Sequence, residues 1–309
     1  MDPTLDKFVM VGGGNETMSI GQMRSLVSSQ YYKEYFVDGN VSATGQGNGW
    51  DSPYSTFAEA SAASHASIAL SANRAWARRN VIWVAGDTLV EDVVAFPQKT
   101  DVIGVGSYDA NKMPGITGTH APVNTAYGTR FYNIWWKGEA AANPIMTLTS
   151  ATSGVEFIDN MFDGVVGTVT SGILATANPF LRVVGCRFMG AFATSCISFG
   201  AGAAVNAEII GNRMYGGAAA GIIVNASTTL AYGGIIDNNK IRVVGLCIDD
   251  NSDLFVITGN ECLSDVASTT TATLIEVIDA NVALGSNNRI SCGDVANAPW
   301  PVVDVTGSV

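Results

Sequence analysis

Acidic side chains that follow predicted strands are the first residues in this sequence whose type and spacing could do chemistry. Asp249 and Asp279 each follow an apolar strand at equivalent positions, and Asp250 lies beside Asp249. If the two strands stack, the carboxylates of Asp249 and Asp279 would lie about 5 Å apart, the separation used by retaining glycosidases. An Asp after a strand also commonly caps a turn, and no basic residue is placed nearby to abstract a proton. The three aspartates are therefore catalytic candidates beside a structural alternative.

A column of basic side chains could bind a ligand without transforming it. Arg187 and Arg213 occupy the same position in successive copies of a repeated segment. The column continues with Lys240 and Arg289 and is interrupted by Glu261. Cationic groups at regular spacing could hold an acidic glycan or the carboxylates of a partner protein. Solvated charges along a strand edge are the alternative.

Adjacent aromatic residues form a second candidate binding site. Trp135 and Trp136 lie in a cluster that begins with Phe131 and Tyr132. Aromatic faces pack against sugar rings, so both tryptophans are candidates for glycan binding. Neighbouring residues of a strand point to opposite sides, however. One tryptophan is then expected in the core and the other outside or at an interface.

Histidine and cysteine give no support to a metal or cofactor site. The only histidines are His65 and His120, both expected at the surface, and neither is close in sequence to a cysteine or an acidic pair. The five cysteines are odd in number and lack a Cys-x-x-Cys motif, so we interpret them as free, buried core residues. The glycines at residues 12–14 lack the Gly-Lys-Ser/Thr ending of a phosphate-binding loop. We predict no metal and no cofactor.

A repeat in the sequence positions these residues. A tetrad of a small residue, Asn, a variable residue and an apolar residue recurs, with steps of 26, 26, 27, 21 and 28 residues between its second positions. A short apolar strand precedes each tetrad, and a second strand follows in each coil. The steps are too short for βαβ units, so each is interpreted as one coil of a solenoid. The second positions, with Cys once in place of Asn, are Asn160, Cys186, Asn212, Asn239, Asn260 and Asn288.

The repeated Asn has a physical reason. At a tight bend Asn can adopt the left-handed backbone conformation and still donate its side-chain amide to the Asn one coil away. Stacked strands would lie about 4.8 Å apart and pair their backbone groups with the next coil. The column Glu156, Arg182 and Glu208 alternates in charge, which would stabilise the stack. The sequence predicts an all-β fold, a right-handed single-stranded parallel β-helix, in which the tetrad residues form a structural ladder.

The N-terminal third carries a resemblance to a known superfamily. An apolar strand at residues 35–37 is followed by a Gly/Asn-rich loop and by Trp-x-Ser-Pro-x-x-Thr-Phe-x-x-Ala, from Trp50 to Ala60. Apolar segments follow at residues 81–87 and 102–106, with Glu91 between them. This region resembles the opening of right-handed β-helix proteins of the pectate-lyase-like superfamily, which include phage tailspike and decoration-type virion proteins. The resemblance covers residues 35–309, and it implies a fold and not an activity.

Three segments are expected from this resemblance and from the repeat. Residues 1–32 match no part of the repeat and are expected to be a docking or assembly arm, with a helix at residues 17–29. Residues 33–80 are expected to hold the first strand, the loop and a capping helix that covers the open solenoid end, with one helix or two broken by Ser at residues 56–79. Residues 81–309 are expected to form the parallel β-helix.

Composition limits the partners of this chain. The net charge is −11, from 27 acidic and 16 basic residues, so nucleic acid is not expected as a partner. No apolar stretch of about 18 residues occurs, which predicts no membrane insertion. The N-terminus lacks the pattern of a signal peptide, so synthesis in the host cytoplasm is expected. Charged residues make up only 14% of the chain, which favours an outer surface partly covered by sister subunits.

These observations favour a virion surface structural protein, such as a short tailspike, head spike or capsid decoration. We expect a homotrimer that contacts other virion proteins through residues 1–32 and that could bind a cell-surface polysaccharide. Apolar residues at expected outward positions, such as Leu174 and Ile223, would be buried between subunits. The alternatives are a polysaccharide lyase or glycoside hydrolase of the β-helix class and a bacterial surface adhesin. An enzyme is the less favoured interpretation, and an extracellular or cell-surface location is the alternative to the virion surface.

Overall fold

The computed structural model is an all-β parallel solenoid with three parallel sheets and few helices. The strands of a sheet come from successive coils and pair in parallel, as Glu156–Ile158 does with Arg182–Val184 and Met161–Asp163 does with Arg187–Gly190. The structure describes residues 7–9, 17–19, 33–69, 78–86, 89–106, 113–139, 142–164, 169–177, 179–200, 206–216, 220–225, 234–252, 255–264, 275–277, 288–292 and 303–305.

Each full coil supplies one strand to each sheet. Sheet 1 contains β3 (Glu34–Asp38), β4 (Asn80–Ala85), β6 (Thr100–Gly104), β8 (Arg130–Tyr132), β11 (Glu156–Ile158), β14 (Arg182–Val184), β17 (Glu208–Ile210), β20 (Gly234–Asp237) and β23 (Phe255–Thr258). Sheet 2 contains β5 (Leu89–Val90), β7 (Gly115–Gly118), β9 (Trp135–Gly138), β12 (Met161–Asp163), β15 (Arg187–Gly190), β18 (Arg213–Gly216), β21 (Lys240–Val243), β24 (Glu261–Ser264) and β26 (Arg289–Cys292). Sheet 3 contains β10 (Met146–Leu148), β13 (Val169–Ala175), β16 (Phe192–Phe199), β19 (Ala220–Val224), β22 (Leu246–Asp250), β25 (Ile275–Val277) and β27 (Val303–Val305).

The core forms from equivalent positions of successive coils. In β11, Phe157 is fully buried between two partly exposed neighbours, and the same inward position holds Val183 and Ile209 in the next two strands. Phe162 and Phe188 stack across neighbouring coils with ring centroids 4.9 Å apart. Side chains alternate between the two faces of a strand, so strands that pair in register stack their side chains in rows. One row points into the core, and the rows on either side of it lie on the outer surface of the sheet.

In the described part of the chain one α-helix, α1 (Phe57–Ala69), packs against β3 and β4, and a short 3-10 helix spans Ser150–Thr152. Thr56 and Glu59 form a capping box, in which the Glu59 amide donates to Thr56 Oγ1 over 3.3 Å and the Thr56 hydroxyl donates to Glu59 Oε2 over 2.9 Å. Glu91 accepts hydrogen bonds from the amides of Phe57 and Ala58 at the same helix end. Burial raises the pKa of the Glu91 carboxyl, although these two hydrogen bonds oppose that shift.

Serine does not interrupt this helix. Ser61, Ser64 and Ser67 lie on its buried side, and Asn80 Nδ2 donates to Ser64 Oγ over 2.9 Å and to Ser67 Oγ over 2.7 Å. The Ser64 and Thr100 hydroxyls are 2.8 Å apart. Over residues 57–69 the helix is continuous, in agreement with the expected alternative of one helix, and strand side chains contact the hydroxyls of Ser64 and Ser67. Residues 70–77 lie outside the described part of the chain.

The N-terminal segment contains an antiparallel pair, β1 (Lys7–Val9) with β2 (Thr17–Ser19). The helix expected at residues 17–29 is thus wrong for residues 17–19, because these residues pair in register with the earlier strand. Residues 20–29 lie outside the described residues. The division of the chain at residues 32 and 80 stays a prediction.

The tetrad asparagines form a hydrogen-bonded column between sheets 1 and 2. Asn212 Nδ2 donates to Asn239 Oδ1 over 2.9 Å, Asn239 Nδ2 to Asn260 Oδ1 over 2.9 Å, and Asn260 Nδ2 to Asn288 Oδ1 over 3.1 Å. The described side-chain amides also donate to backbone carbonyls of the preceding coil, for example Asn212 to Val183 over 2.9 Å. Asn212, Asn239 and Asn260 are fully buried, so their polar atoms depend on these partners.

The column changes at Cys186. Its backbone amide donates to Asn212 Oδ1 over 2.9 Å, but its thiol points at the Phe157 carbonyl, 3.4 Å away. One coil earlier, Asn160 Oδ1 accepts from the Trp136 indole N–H over 3.2 Å. A thiol is a weak donor and acceptor, so Cys186 fills the Asn position without continuing the amide ladder.

The left-handed residue of each bend precedes the tetrad Asn. Positive φ values of 54° to 57° occur at Asn133, Asp159 and Asn238, and glycines occupy the equivalent position in other coils. The prediction that the tetrad Asn itself is left-handed is therefore wrong. The preceding residue reverses the chain, which lets the Asn side chain point at the next coil.

The remaining core expectations have mixed outcomes. Cys186, Cys196, Cys247 and Cys262 are free and buried, as the sequence indicates, while the side chain of Cys292 lies outside the described residues. His120 is fully buried, which contradicts its expected surface position. Its Nδ1 accepts from the Val93 amide, and its ring packs against Trp136 with centroids 4.9 Å apart. Desolvation lowers the pKa of His120 to about 4, so the ring is neutral at pH 7.

Candidate functional site

The outer surface of sheet 2 carries a regular array of cations. Strands β15, β18 and β21 pair in register, which places Arg187, Arg213 and Lys240 in one outer row. Since neighbouring strands lie about 4.8 Å apart, the three charges follow one another over about 10 Å. Arg213 and Lys240 are exposed and Arg187 is partly exposed, so solvent and ligands can reach all three.

A second outer row lies two residues further along the same strands. It places Tyr215 beside Arg242, and both side chains are exposed. At the N-terminal side of the sheet, Lys137 occupies the equivalent position of β9 and pairs in register with Asp163 of β12. We call Lys137, Arg187, Arg213, Tyr215, Lys240 and Arg242 the basic face.

An acidic residue interrupts the outer row of cations beyond Lys240. Glu261 follows Lys240 in register on β24, and their Oε2 and Nζ atoms are 3.5 Å apart. Both side chains are about half exposed, so this ion pair is open to competition by an anionic ligand. Arg289 continues the same row on β26. The column expected from the sequence is thus assembled in register, with Glu261 as its interruption.

The two tryptophans of β9 have different surroundings. Trp136 is fully buried and packs against Phe131 with ring centroids 5.2 Å apart, so it is out of reach of a ligand on the surface. The prediction that Trp136 binds a glycan is therefore wrong, because the alternation of side chains along β9 points Trp136 into the core. Trp135 points outward and is half-buried, and the Lys137 ammonium lies 3.9 Å from its ring centroid. Trp135 is therefore the member of the pair that stands at the edge of the basic face.

The catalytic candidates on sheet 3 are not assembled as the sequence suggested. Asp249 of β22 is opposite Ile223 on one side and opposite Glu276 of β25 on the other. Glu276 therefore takes the strand position beside Asp249 that the sequence suggested for another aspartate, and that aspartate, Asp279, lies outside the described residues. Asp304 of β27 is opposite Glu276, so the register supplies a column of Asp249, Glu276 and Asp304.

Asp249 and Asp250 have opposite orientations. The Asp249 carboxylate is partly exposed and accepts from Asn251 Nδ2 over 2.8 Å, and desolvation raises its pKa. Asp250 lies in the inward row beside Val224 and is fully buried. Its Oδ1 accepts from the amide and hydroxyl of Ser252, whereas its Oδ2 has no hydrogen-bond partner. Asp250 is therefore unsuitable for contact with a substrate, and desolvation raises its pKa as well.

The described part of the chain contains no group of three or more His, Cys, Asp or Glu side chains that could hold a metal ion. Within the same residues, no helix has the length and apolar character needed to cross a membrane.

Sequence reasoning missed half of the basic face. Lys137, Tyr215 and Arg242 were not singled out, although Tyr215 and Arg242 stand two residues after the outer tetrad positions Arg213 and Lys240, and Lys137 stands two residues after Trp135. A period of two within each strand is the signal that would have found them. The tetrad drew attention to one outer row only.

Comparisons with known proteins add little to this geometry. No family model matches the chain, and no curated protein matches it. Among solved structures, DFA-IIIase from Arthrobacter chlorophenolicus A6 in complex with GF2 matches with a TM-score of 0.48 and 10% identity, over 85% of this chain and 86% of that chain. The same enzyme without its lid matches with a TM-score of 0.43 and 9% identity, over 85% and 92% of the two chains. Likeness at this level transfers no activity, and the chain is assigned to no family.

Proposed function

We propose that this protein is a structural and adhesive protein of a virion surface whose basic face binds an anionic polysaccharide. The observation that carries the binding function is the in-register row of Arg187, Arg213 and Lys240 on sheet 2. The chain as a whole has a net charge of −11, so a local cluster of cations needs an explanation other than general composition.

The geometry of the basic face suits a linear polyanion. Guanidinium groups bind carboxylate and sulfate oxygens in paired hydrogen bonds, and regular spacing lets one extended chain contact several of them. Tyr215 adds an exposed aromatic ring beside the cations, which can pack against a sugar ring. An extended glycan would lie along the stacking direction, across the strands.

For the assembly we propose a homotrimer of right-handed parallel β-helices of the pectate-lyase-like superfamily, as a short tailspike, head spike or capsid decoration. The three parallel sheets support the β-helix assignment. Residues 1–32 would contact other virion proteins, since they precede the solenoid and lack its repeat. A bacterial surface adhesin would use the same basic face in another location.

Binding measurements with charge variants test this function. The double variant R213Q/K240Q should weaken binding to a sulfated or uronate polysaccharide about tenfold at low salt, since each lost contact is worth roughly 0.5–1 kcal/mol. Lys33→Gln is the matched control, because it removes an exposed cation outside the basic face. Binding to the wild type should fall with ionic strength. Equal affinity of the double variant and the wild type would contradict the proposal.

A hydrolase or lyase is the second candidate, and the register of Asp249, Glu276 and Asp304 favours it. Acidic residues on adjacent strands are spaced about as closely as the carboxyl pair of a retaining glycosidase. Incubation of polysaccharide with the wild type and with Asp249→Asn separates the two functions. Release of new reducing ends or unsaturated products by the wild type, lost in Asp249→Asn, would favour the enzyme. We expect binding without turnover in both proteins.

A further inference from the structure

The outer surface of sheet 1 carries a continuous apolar row. Seven consecutive strands, from β3 to β17, each place one apolar side chain at the same outward position, and their pairing is in register. All seven side chains are partly exposed. We call this row the apolar stripe; its members are Phe36, Trp83, Ile103, Tyr132, Ile158, Val184 and Ile210. At about 4.8 Å per strand it is about 29 Å long.

Exposed apolar residues lie next to both ends of the stripe, although the stripe itself is followed by Asp237 in register with Ile210. Trp50 packs edge-on against Phe36 with ring centroids 5.0 Å apart, and 42% of its surface remains exposed. Beyond Ile210, the neighbouring outer row of sheet 1 ends in Ile235 and Val256, which are 41% and 40% exposed. Contiguous apolar surface of this kind marks an interaction site more often than isolated exposed side chains do.

A row of alternating acidic and basic side chains, with no net charge, flanks the stripe. Asp101 of β6, Arg130 of β8, Glu156 of β11, Arg182 of β14 and Glu208 of β17 alternate in sign along the outer row beside it. Arg182 contacts Glu156 and Glu208, each over 2.7 Å. Asp101 contacts Arg130 over 2.8 Å and Arg79 over 2.6 Å. Three acidic side chains are thus balanced by three basic ones.

The other two outer surfaces differ from this one. Sheet 2 carries the basic face, whose cations would repel the same face of another copy. The outer row of sheet 3 alternates between apolar and polar residues, with Leu174 and Ile223 separated by Ser198, and it continues with the acidic positions Asp249, Glu276 and Asp304. Among the described outer rows, only sheet 1 presents seven apolar residues in succession beside paired charges.

We propose that the apolar stripe is the surface through which one copy of this chain contacts another copy. This inference rests on the homo-oligomer of the proposed function and names the face that it uses. Two chains with a net charge of −11 repel each other, so they approach most easily where the local charge is neutral. Burial of the stripe stabilises the contact by roughly 25 cal/mol per Å² of apolar surface. The expected interface is therefore on sheet 1, and not at Leu174 and Ile223 on sheet 3.

Charge insertion on two faces tests the proposal. Ile158→Glu places a carboxylate in the centre of the stripe beside Glu156, whereas Ile223→Glu makes the same change on sheet 3. Light scattering should show the wild type at a multiple of 32.2 kDa, Ile158→Glu at 32.2 kDa, and Ile223→Glu at the wild-type mass. Circular dichroism and the melting temperature report whether each variant is folded.

Cross-linking keeps the test valid if Ile158→Glu fails to fold. In an assembly with parallel axes, Ile158→Cys places thiols of neighbouring copies at the same level, so mild oxidation should give a linked dimer on a denaturing gel. Ile223→Cys, the matched control, should stay monomeric under the same oxidation. The native cysteines with described side chains are buried and contribute little.

Several results would overturn the inference. If the wild type is a monomer, the stripe does not bind a second copy of the chain. If Ile223→Glu dissociates the oligomer, whether or not Ile158→Glu also does so, the interface is not specific to sheet 1. If the wild type is a monomer and binds a hydrophobic dye only after residues 1–32 are deleted, those residues cover the apolar stripe in place of a second copy. Polysaccharide binding is measured on the same proteins, so that the two proposals can fail separately. A wild type that binds polysaccharide as a monomer contradicts this inference and leaves the proposed binding function intact, whereas an oligomer that does not bind polysaccharide contradicts the binding function alone.

Discussion

Replacement of Asn212 by Ala tests whether the asparagine column holds the solenoid together. The side chain of Asn212 makes three buried hydrogen bonds: to the Val183 carbonyl, to Asn239 Oδ1 and from the Cys186 amide, each 2.9 Å long. The variant leaves Val183 O and Cys186 N–H without these partners, at about 1–3 kcal/mol for each group. We therefore expect a loss of about 4 kcal/mol in the free energy of unfolding.

Calorimetry can measure this loss. With about 2.1 cal/mol/K of unfolding entropy per residue, a chain of 309 residues should melt about 6 °C lower. Asn225→Ala is the matched control, because Asn225 is exposed and donates to one carbonyl, that of Phe199. It should shift the melting temperature by less than about 2 °C, since a single hydrogen bond contributes about 1 kcal/mol.

A second variant separates hydrogen bonding from packing. Asn212→Asp keeps the shape and the acceptor for the Cys186 amide, but it loses both donors and sets a carboxylate against Asn239 Oδ1. It should destabilise at least as much as Asn212→Ala at pH 7. If Asn212→Asp is nearly neutral, or if Asn212→Ala matches the Asn225→Ala control, the column does not act through its amides.

Three further changes test other buried groups. Cys186→Asn supplies an acceptor for Asn160 of the preceding coil, an amide donor to Asn212 Oδ1 of the next coil and a stronger donor to the Phe157 carbonyl. It should therefore raise the free energy of unfolding by about 1 kcal/mol in urea titration, and an unchanged midpoint would contradict a continuous ladder. Burial lowers the pKa of His120 from 6.5 to about 4, so the unfolded chain binds the proton more readily than the folded one. The free energy of unfolding should therefore fall by about 3 kcal/mol as the pH is lowered from 6.5 to 4. The pH profile of His120→Asn should lack that loss, and an identical profile would refute the assignment. Asp250→Asn removes a buried carboxyl whose pKa is raised by desolvation, so the variant should melt at a higher temperature than the wild type at pH 7. The difference in melting temperature should shrink toward pH 4, where the wild-type carboxyl is protonated more fully. A variant that melts below the wild type at pH 7 would contradict this.

The repeat was predictable because the same residue types recur at nearly constant spacing along the sequence. The tetrads place Asn212, Asn239 and Asn260 at steps close to one coil, and in the structure these residues are hydrogen-bonded neighbours. The alternating column of Glu156, Arg182 and Glu208 was visible for the same reason, and the structure adds Asp101 and Arg130 to it. Fixed spacing allows contacts between coils to be read without knowledge of the full fold.

The candidate site was less predictable, because a one-residue error in register moves a side chain to the other face. Asp250 and Trp136 were candidates for ligand contact and are both buried. Asp249 lies on the outer side as required, but Glu276 takes the neighbouring position expected for Asp279. The apolar stripe was also missed, since its members are spread over residues 36–210 and become neighbours only in the sheet.

The coil length, the strands and the buried asparagine column could be predicted from the sequence, because these depend on residue types that recur at fixed steps. Tertiary structure alone decided which side chains share an outer surface. The basic face and the apolar stripe each join residues from many coils, and their positions depend on the register between strands. That register is set by the packing of the whole core and by the residue that reverses the chain in each bend, so no single window of the sequence contains it.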